Sequence, residues 1–238
     1  LTLEEGLFLY KTAPTADLMF IGNEIRKLNQ QDEKKDKVGW IIDRNVNITN
    51  VCIAQCEFCN FYRKLKDPDT YITTLEDYDE KIIMMKALGG NQLLMQGGLH
   101  PKLDLEWYKK LFKDIKKMHP DIKLHALGPA EIHHIARLAK TSYEHVLVQL
   151  AEAGLDSLPG AGAEILSDRV RKIVSRGKCN SQQWLDVMKA AHKLKMTTSA
   201  TMMFGHIETY TERIEHFIKL RKVQNEKPDE SEGFTTFI

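Results

Sequence analysis

The strongest constraint on the fold is an alternation of two apolar periods along the chain. Short strand-like runs are expected at Trp40-Ile41-Ile42 (running on toward Val46 and Ile48), at 92–95, 122–127, 155–158 and 197–204, and at 234–238. Helical stripes fall between them, at about 76–88, 104–118, 130–140, 142–153, 163–173, 181–195 and 211–224. In the second of these, Leu105, Tyr108, Leu111, Phe112, Ile115 and Met118 recur at i, i+3, i+4 spacing, and His119-Pro120 stops it. Strand and helix in regular alternation mean parallel strands joined by helical crossovers.

A (β/α) barrel and an open doubly wound sheet both satisfy that pattern. The residues at the strand ends favour the barrel. Three cysteines follow the first strand, Gln96-Gly97-Gly98-Leu99-His100 the second, Pro159-Gly160 the fourth and Gly205-His206 the fifth. Polar and glycine-rich residues gathered at the carboxyl ends of several strands are how barrel sites are built. The expected fold is therefore an α/β, TIM-like (β/α) barrel of about six strands, partial or truncated, over residues 39–238. A helical segment, 1–38, precedes it. It contains a helix at 16–30, with Leu18, Ile21, Ile25 and Leu28 on one stripe, and a charged loop at 30–37.

Charge and composition exclude several functions. With 34 basic and 33 acidic residues the formal charge is +1, which provides no attraction for nucleic acid or an anionic membrane. No apolar run reaches the roughly 18 residues of a spanning helix. The first ten residues carry two glutamates and no early basic residue, unlike a secretion signal. Three of the four cysteines crowd together at Cys52, Cys56 and Cys59, whereas a secreted disulfide framework would spread them. A reducing, cytoplasmic location and a bound metal are the expectation.

The motif reads Cys52-Ile-Ala-Gln-Cys56-Glu-Phe58-Cys59, or Cys-x3-Cys-x2-Cys. Three thiolates can hold three irons of a 4Fe–4S cubane and leave the fourth iron open. The competing reading is a non-enzymatic structural zinc module. Zinc usually takes four ligands in two pairs, and no second pair lies nearby. Cys179 is distant and reads as a structural thiol.

With Phe58 just before its third cysteine, the motif resembles that of the radical S-adenosylmethionine superfamily. Four longer runs extend the likeness: 43–52, Gln96-Gly97-Gly98-Leu99-His100-Pro101, 154–166 and 200–206. Together they resemble the futalosine-pathway enzymes of menaquinone biosynthesis, most of all those that cyclise dehypoxanthine futalosine. Aminofutalosine synthases and the deazaflavin-forming FO synthases share much of this framework. The resemblance implies a 4Fe–4S cluster on Cys52, Cys56 and Cys59 and S-adenosyl-L-methionine (SAM) as cofactors. It also implies cleavage of SAM to a 5′-deoxyadenosyl radical, a small-molecule substrate, and an electron donor such as flavodoxin or ferredoxin.

Other candidate residues follow. Phe58 is expected against the adenine, and Gln96, Gly97 and Gly98 near the amino group of SAM. Ser157, Glu164 and Arg169, around the loop Pro159-Gly160-Ala161-Gly162, are candidates for its ribose and carboxylate, since a loop opening a helix can receive an anion. His100 and His206, which follow strand-end glycines, and Glu131 are candidate proton-moving or substrate-contacting groups. Glu131 alternatively compensates a helix dipole. His133, His134, His145, His192 and His216 fall inside helices and read as surface or partly buried residues.

Overall fold

A computed structural model describes residues 1–30 and 37–238; most of the expected charged loop at 30–37 lies outside the described residues. Two helices come first, α1 (Leu3–Thr12) and α2 (Thr15–Asn29). A capping box, in which Thr2 and Glu5 satisfy each other's backbone N–H groups, starts α1. This helix lies against the last one: the Tyr10 ring meets that of Tyr210 at 4.9 Å, tilted by 53°, and Tyr10 accepts a hydrogen bond from Arg213.

The body alternates as expected. In chain order it comprises β1 (Asp43–Asn47), β2 (Gln55–Cys56), α3 (Leu75–Ala87), β3 (Gln92–Gln96), α4 (Leu105–Met118) and β4 (Lys123–Ala126). Then come α5 (Pro129–Ala139), α6 (Tyr143–Glu152), β5 (Leu155–Leu158), α7 (Asp168–Val174) and β6 (Ser175–Arg176). The last elements are α8 (Ser181–Lys193), β7 (Thr197–Ala200), α9 (Tyr210–Asn225) and β8 (Phe234–Phe237). Six strands form one parallel sheet in the order β1-β3-β4-β5-β7-β8. Strand order follows chain order without reversal, as in a partial barrel and unlike a doubly wound sheet.

The two faces of this sheet differ. Val46, Leu93, Met95, Leu124 and Ala126 are buried in one core with Tyr78, Ile82, Phe112 and Ile115 of the covering helices. The alternate residues Asn45, Asn47, Gln96, His125 and Ser157 keep contact with solvent. Register places them on one face: Asn45 pairs with Leu94, Leu94 with His125, and His125 with Ser157. Successive side chains of a strand point to opposite faces, so the helices cover one face and leave a polar one open. No helix among the described residues is long and apolar enough to cross a membrane.

Three expectations need correction. Residues 40–42 precede β1, with Trp40 83% and Ile41 71% accessible and Ile42 half-buried; the apolar run overstated the strand. The helix expected from 163 starts at Asp168, because 163–167 is irregular and Glu164 takes a left-handed φ of 42°. His134, His192 and His216 are fully buried rather than at the surface or partly buried.

His216 illustrates what such burial does. Its Nδ1 accepts the Leu166 N–H at 3.0 Å, and burial, aided by Lys219 and Arg171, pushes it from 6.5 down to about 4. Between those values the unfolded chain binds the extra proton and the folded chain does not, so stability falls as pH drops from about 6.5 to about 4. At about 1.36 kcal/mol per unit, the full effect is roughly 3 kcal/mol. Urea unfolding at pH 7 and pH 5 is expected to show a larger loss for wild type than for His216→Gln. Equal losses would contradict this account.

Candidate active site

The loop between β1 and β2 carries the first cysteine, Cys52, and its shape is set by a neighbouring loop. Asn50 donates to the Asp69 carbonyl at 2.8 Å, and its side-chain oxygen accepts the Tyr71 N–H at 2.9 Å. Thr49 Oγ1 donates to the Tyr71 carbonyl at 2.6 Å, and the Cys52 N–H donates to the Arg63 carbonyl at 3.0 Å. An ion pair between Arg63 and Asp69 at 2.6 Å closes this second loop. Further on, Cys56 lies in β2, which pairs antiparallel with β6, and the Cys59 N–H reaches the Cys56 carbonyl at 3.1 Å.

Gln96-Gly97-Gly98 emerges from β3 directly against this loop. The Gly98 N–H donates to the Thr49 carbonyl at 2.9 Å, and the Leu99 N–H points to Cys52 Sγ at 3.2 Å. A Cβ on Gly98 would stand 2.2 Å from the Val51 carbonyl oxygen and 2.9 Å from Cys52 Cβ. Only glycine permits that approach, so this residue is required by the backbone of the cysteine loop itself.

Cys52, Cys56, Cys59, Phe58, Gln96, Gly97 and Gly98 line a single cavity of about 320 Å³. Asn45 and Asn47 also line it, so it joins the open polar face of the sheet; Lys178 stands at its wall. Burial raises Cys52 and Cys56 above the ordinary thiol range, Lys178 opposes this in both, and Cys52 and Cys59 add to it at Cys56. Buried thiols of this kind are poor free nucleophiles and become thiolates when a metal takes the proton's place. Among the described residues no three His, Cys, Asp or Glu side chains converge closely enough to hold one metal ion. A cubane does not need such convergence, because each thiolate binds a different iron. The donor set, three soft thiols on one cavity, therefore fits an iron–sulfur cluster better than zinc.

The remaining candidates are distributed more widely. Ser157 shares a 2.6 Å hydrogen bond with His125 on the polar face, outside the cavity lining. Glu164 reaches the cavity only through Lys178, held at 2.8 Å; its second oxygen faces Arg171 at 3.4 Å. Arg169 is turned away, closed on Glu212 at 2.6 Å and on the Ile207 carbonyl at 2.9 Å, so its assignment to the cofactor has no geometric basis. His206 is exposed, donates to the Met203 carbonyl at 2.9 Å and is absent from the cavity lining. His100 is buried, with Nδ1 accepting the Lys102 N–H at 3.1 Å. Glu131 accepts the Gly128 N–H at 2.7 Å, capping the start of α5. Burial raises Glu131 to about 8, against the Gly128 and Gly97 N–H groups that favour its charged form.

Sequence reasoning missed Lys178, Asn45, Asn47 and Asn50. Asn45 and Asn47 carried a readable signal, since they alternate with Val46 inside a strand. Lys178 carried none; it sits in a turn made by Gly177, whose φ is +84°.

A family model described as the radical SAM superfamily matches residues 46–220. The chain is 40% identical over 237 residues to a 5-amino-6-(D-ribitylamino)uracil–L-tyrosine 4-hydroxyphenyl transferase of Methanosarcina barkeri. It is 39% identical over 239 residues to the cyclic dehypoxanthine futalosine synthase of Streptomyces coelicolor, and 36% over 241 residues to the aminodeoxyfutalosine synthase of Thermus thermophilus. Each match covers 100% of this chain but only 58%, 59% and 62% of the respective relative. Among solved structures, methylornithine synthase superposes with a TM-score of 0.67 at 16% identity, covering 96% of this chain and 62% of that one. HydG, a maturase of the FeFe-hydrogenase, superposes with a TM-score of 0.64 at 12% identity, covering 94% and 55%. These two likenesses concern the fold. With its cysteine cavity, its parallel sheet and this family match over most of its length, the chain belongs to the radical SAM superfamily.

Proposed function

We propose that this chain forms the cofactor-binding core of a radical SAM enzyme of the futalosine-pathway type, one that converts dehypoxanthine futalosine to cyclic dehypoxanthinylfutalosine. The observation that carries the reading is the shared cavity: three cysteines, Phe58 and the Gln96-Gly97-Gly98 turn meet at the end of an uncovered polar sheet face.

Cys52, Cys56 and Cys59 would hold the 4Fe–4S cluster. When bound and reduced, by a donor such as flavodoxin or ferredoxin, the cluster supplies the electron that cleaves SAM to a 5′-deoxyadenosyl radical. The chain's own residues provide position and shelter. Phe58 would face the adenine, and the backbone at 96–98 would meet the amino group of SAM. Asn45, His125 and Ser157 offer hydrogen bonds from the open face to a hydroxyl-rich substrate. The buried sheet and helices behind them keep that face fixed.

The choice of substrate rests on the resemblance of Asp168-Arg169-Val170-Arg171 and Thr201-Met202-Met203-Phe204-Gly205 to the cyclising enzymes; identities of 40%, 39% and 36% to the three kinds of relative do not separate them. Substrate trials test it. Cyclised product from dehypoxanthine futalosine is the expected result. Aminodeoxyfutalosine formation, or transfer of a tyrosine-derived hydroxyphenyl group, with no cyclised product would overturn the assignment and leave the superfamily membership intact.

A further inference from the structure

The cavity has one cationic wall, and its charge is held in place from behind. Lys178 Nζ lies 2.8 Å from Glu164 Oε1 and 5.5 Å from the centre of the Phe58 ring. Glu164 is 5% exposed, and its other oxygen faces the buried Arg171. The Arg171 guanidinium donates to the carbonyls of Gly162, Ala163 and Cys179, so it ties the Glu164 loop to the segment bearing Lys178. Two cations and one carboxylate leave a net positive charge on this wall. Among the described residues Lys178 is also the one lysine, arginine or carboxylate lining the cavity.

We propose that Lys178 is the electrostatic positioning residue of the cysteine site: its ammonium, fixed by Glu164, places a positive charge beside the cluster and eases its one-electron reduction. This rests on the functional reading above. In the step concerned, one electron enters from an external reductant, no bond breaks and no proton moves. A unit positive charge on the wall of the same cavity would stabilise the added electron, and the low dielectric of a partly buried site would strengthen that effect. The same ammonium over the Phe58 ring adds a cation–π contact that orients the ring.

The test is an EPR-monitored potential titration of the reconstituted, SAM-free protein, with dithionite as reductant and iron content measured in parallel. Lys178→Met is expected to make cluster reduction about tenfold less favourable, a shift of about 59 mV to lower potential for one electron. Lys178→Arg is expected to keep the wild-type potential. Glu164→Gln, which removes the opposing charge and keeps the lysine, is expected to shift the potential upward. Opposite signs for Lys178→Met and Glu164→Gln separate a charge effect from loosened packing, which would not reverse. Unchanged potentials in both, or a shift of the same sign, overturn the proposal. A wild-type protein that assembles no iron–sulfur cluster would instead defeat the functional reading itself.

Discussion

Serine in place of Cys52, Cys56 or Cys59 is expected to abolish 5′-deoxyadenosine formation, by at least about a thousandfold, or roughly 4 kcal/mol of barrier. The three thiols share one cavity, and none is backed by a spare sulfur: Cys179, the only other cysteine, is buried against Arg171 at 3.7 Å. A hydroxyl is a poor ligand for iron in such a cluster, so each variant should also lose the brown colour and bound iron. Circular dichroism should remain that of the wild type, because the loop is held by Asn50, Thr49 and the 61–73 segment rather than by the sulfurs. Cys179→Ser is the internal contrast and is expected to retain the cluster. Retention of activity in any of the three loop variants would contradict the assignment.

Arg171→Met is expected to cost about 3–5 kcal/mol in unfolding free energy, the range for breaking a buried ionic site by removing one partner. Only 3% of Arg171 is exposed. Its Nη1 donates to the Gly162 and Ala163 carbonyls at 2.9 and 2.6 Å, and Nε and Nη2 to the Cys179 carbonyl at 3.0 and 2.6 Å. Methionine fills similar volume and leaves those oxygens without donors in a dry setting. Lysine carries the charge without the fork, so Arg171→Lys should recover only part of the loss. Denaturant unfolding measures both. A loss below about 1 kcal/mol for Arg171→Met would remove Arg171 from its bracing role.

How much of this was legible in the sequence depended on whether the signal was local. The parallel sheet was readable because each strand and helix carries its own period, and the order of strands follows from short right-handed crossovers. The cysteine motif was readable because its three cysteines lie within eight residues, 52–59. Gln96-Gly97-Gly98 was readable as a site element, although the steric demand on Gly98 comes from Val51 and Cys52 and could not be seen along the sequence. What escaped was made by distant pairing. The β2–β6 ribbon joins Cys56 to Ser175, and it brings the Lys178 turn beside the cysteines. Arg169 and Arg171 stand two residues apart on α7. The first turns outward to Glu212 and the second inward to Glu164, a difference of helical phase that the expected helix start at 163 left undefined. His216 read as a surface or partly buried residue because α9 is polar over most of its length, yet it is fully buried and its ring meets Phe217 and Phe237 at 6.2 and 6.4 Å in the interior.

The most direct test of the central claim is anaerobic reconstitution of the wild-type chain with iron and sulfide, followed by SAM and dithionite. The account predicts a brown protein with 4Fe–4S stoichiometry that, once reduced, converts SAM to 5′-deoxyadenosine. A colourless protein that retains zinc on these cysteines and leaves SAM intact would contradict it.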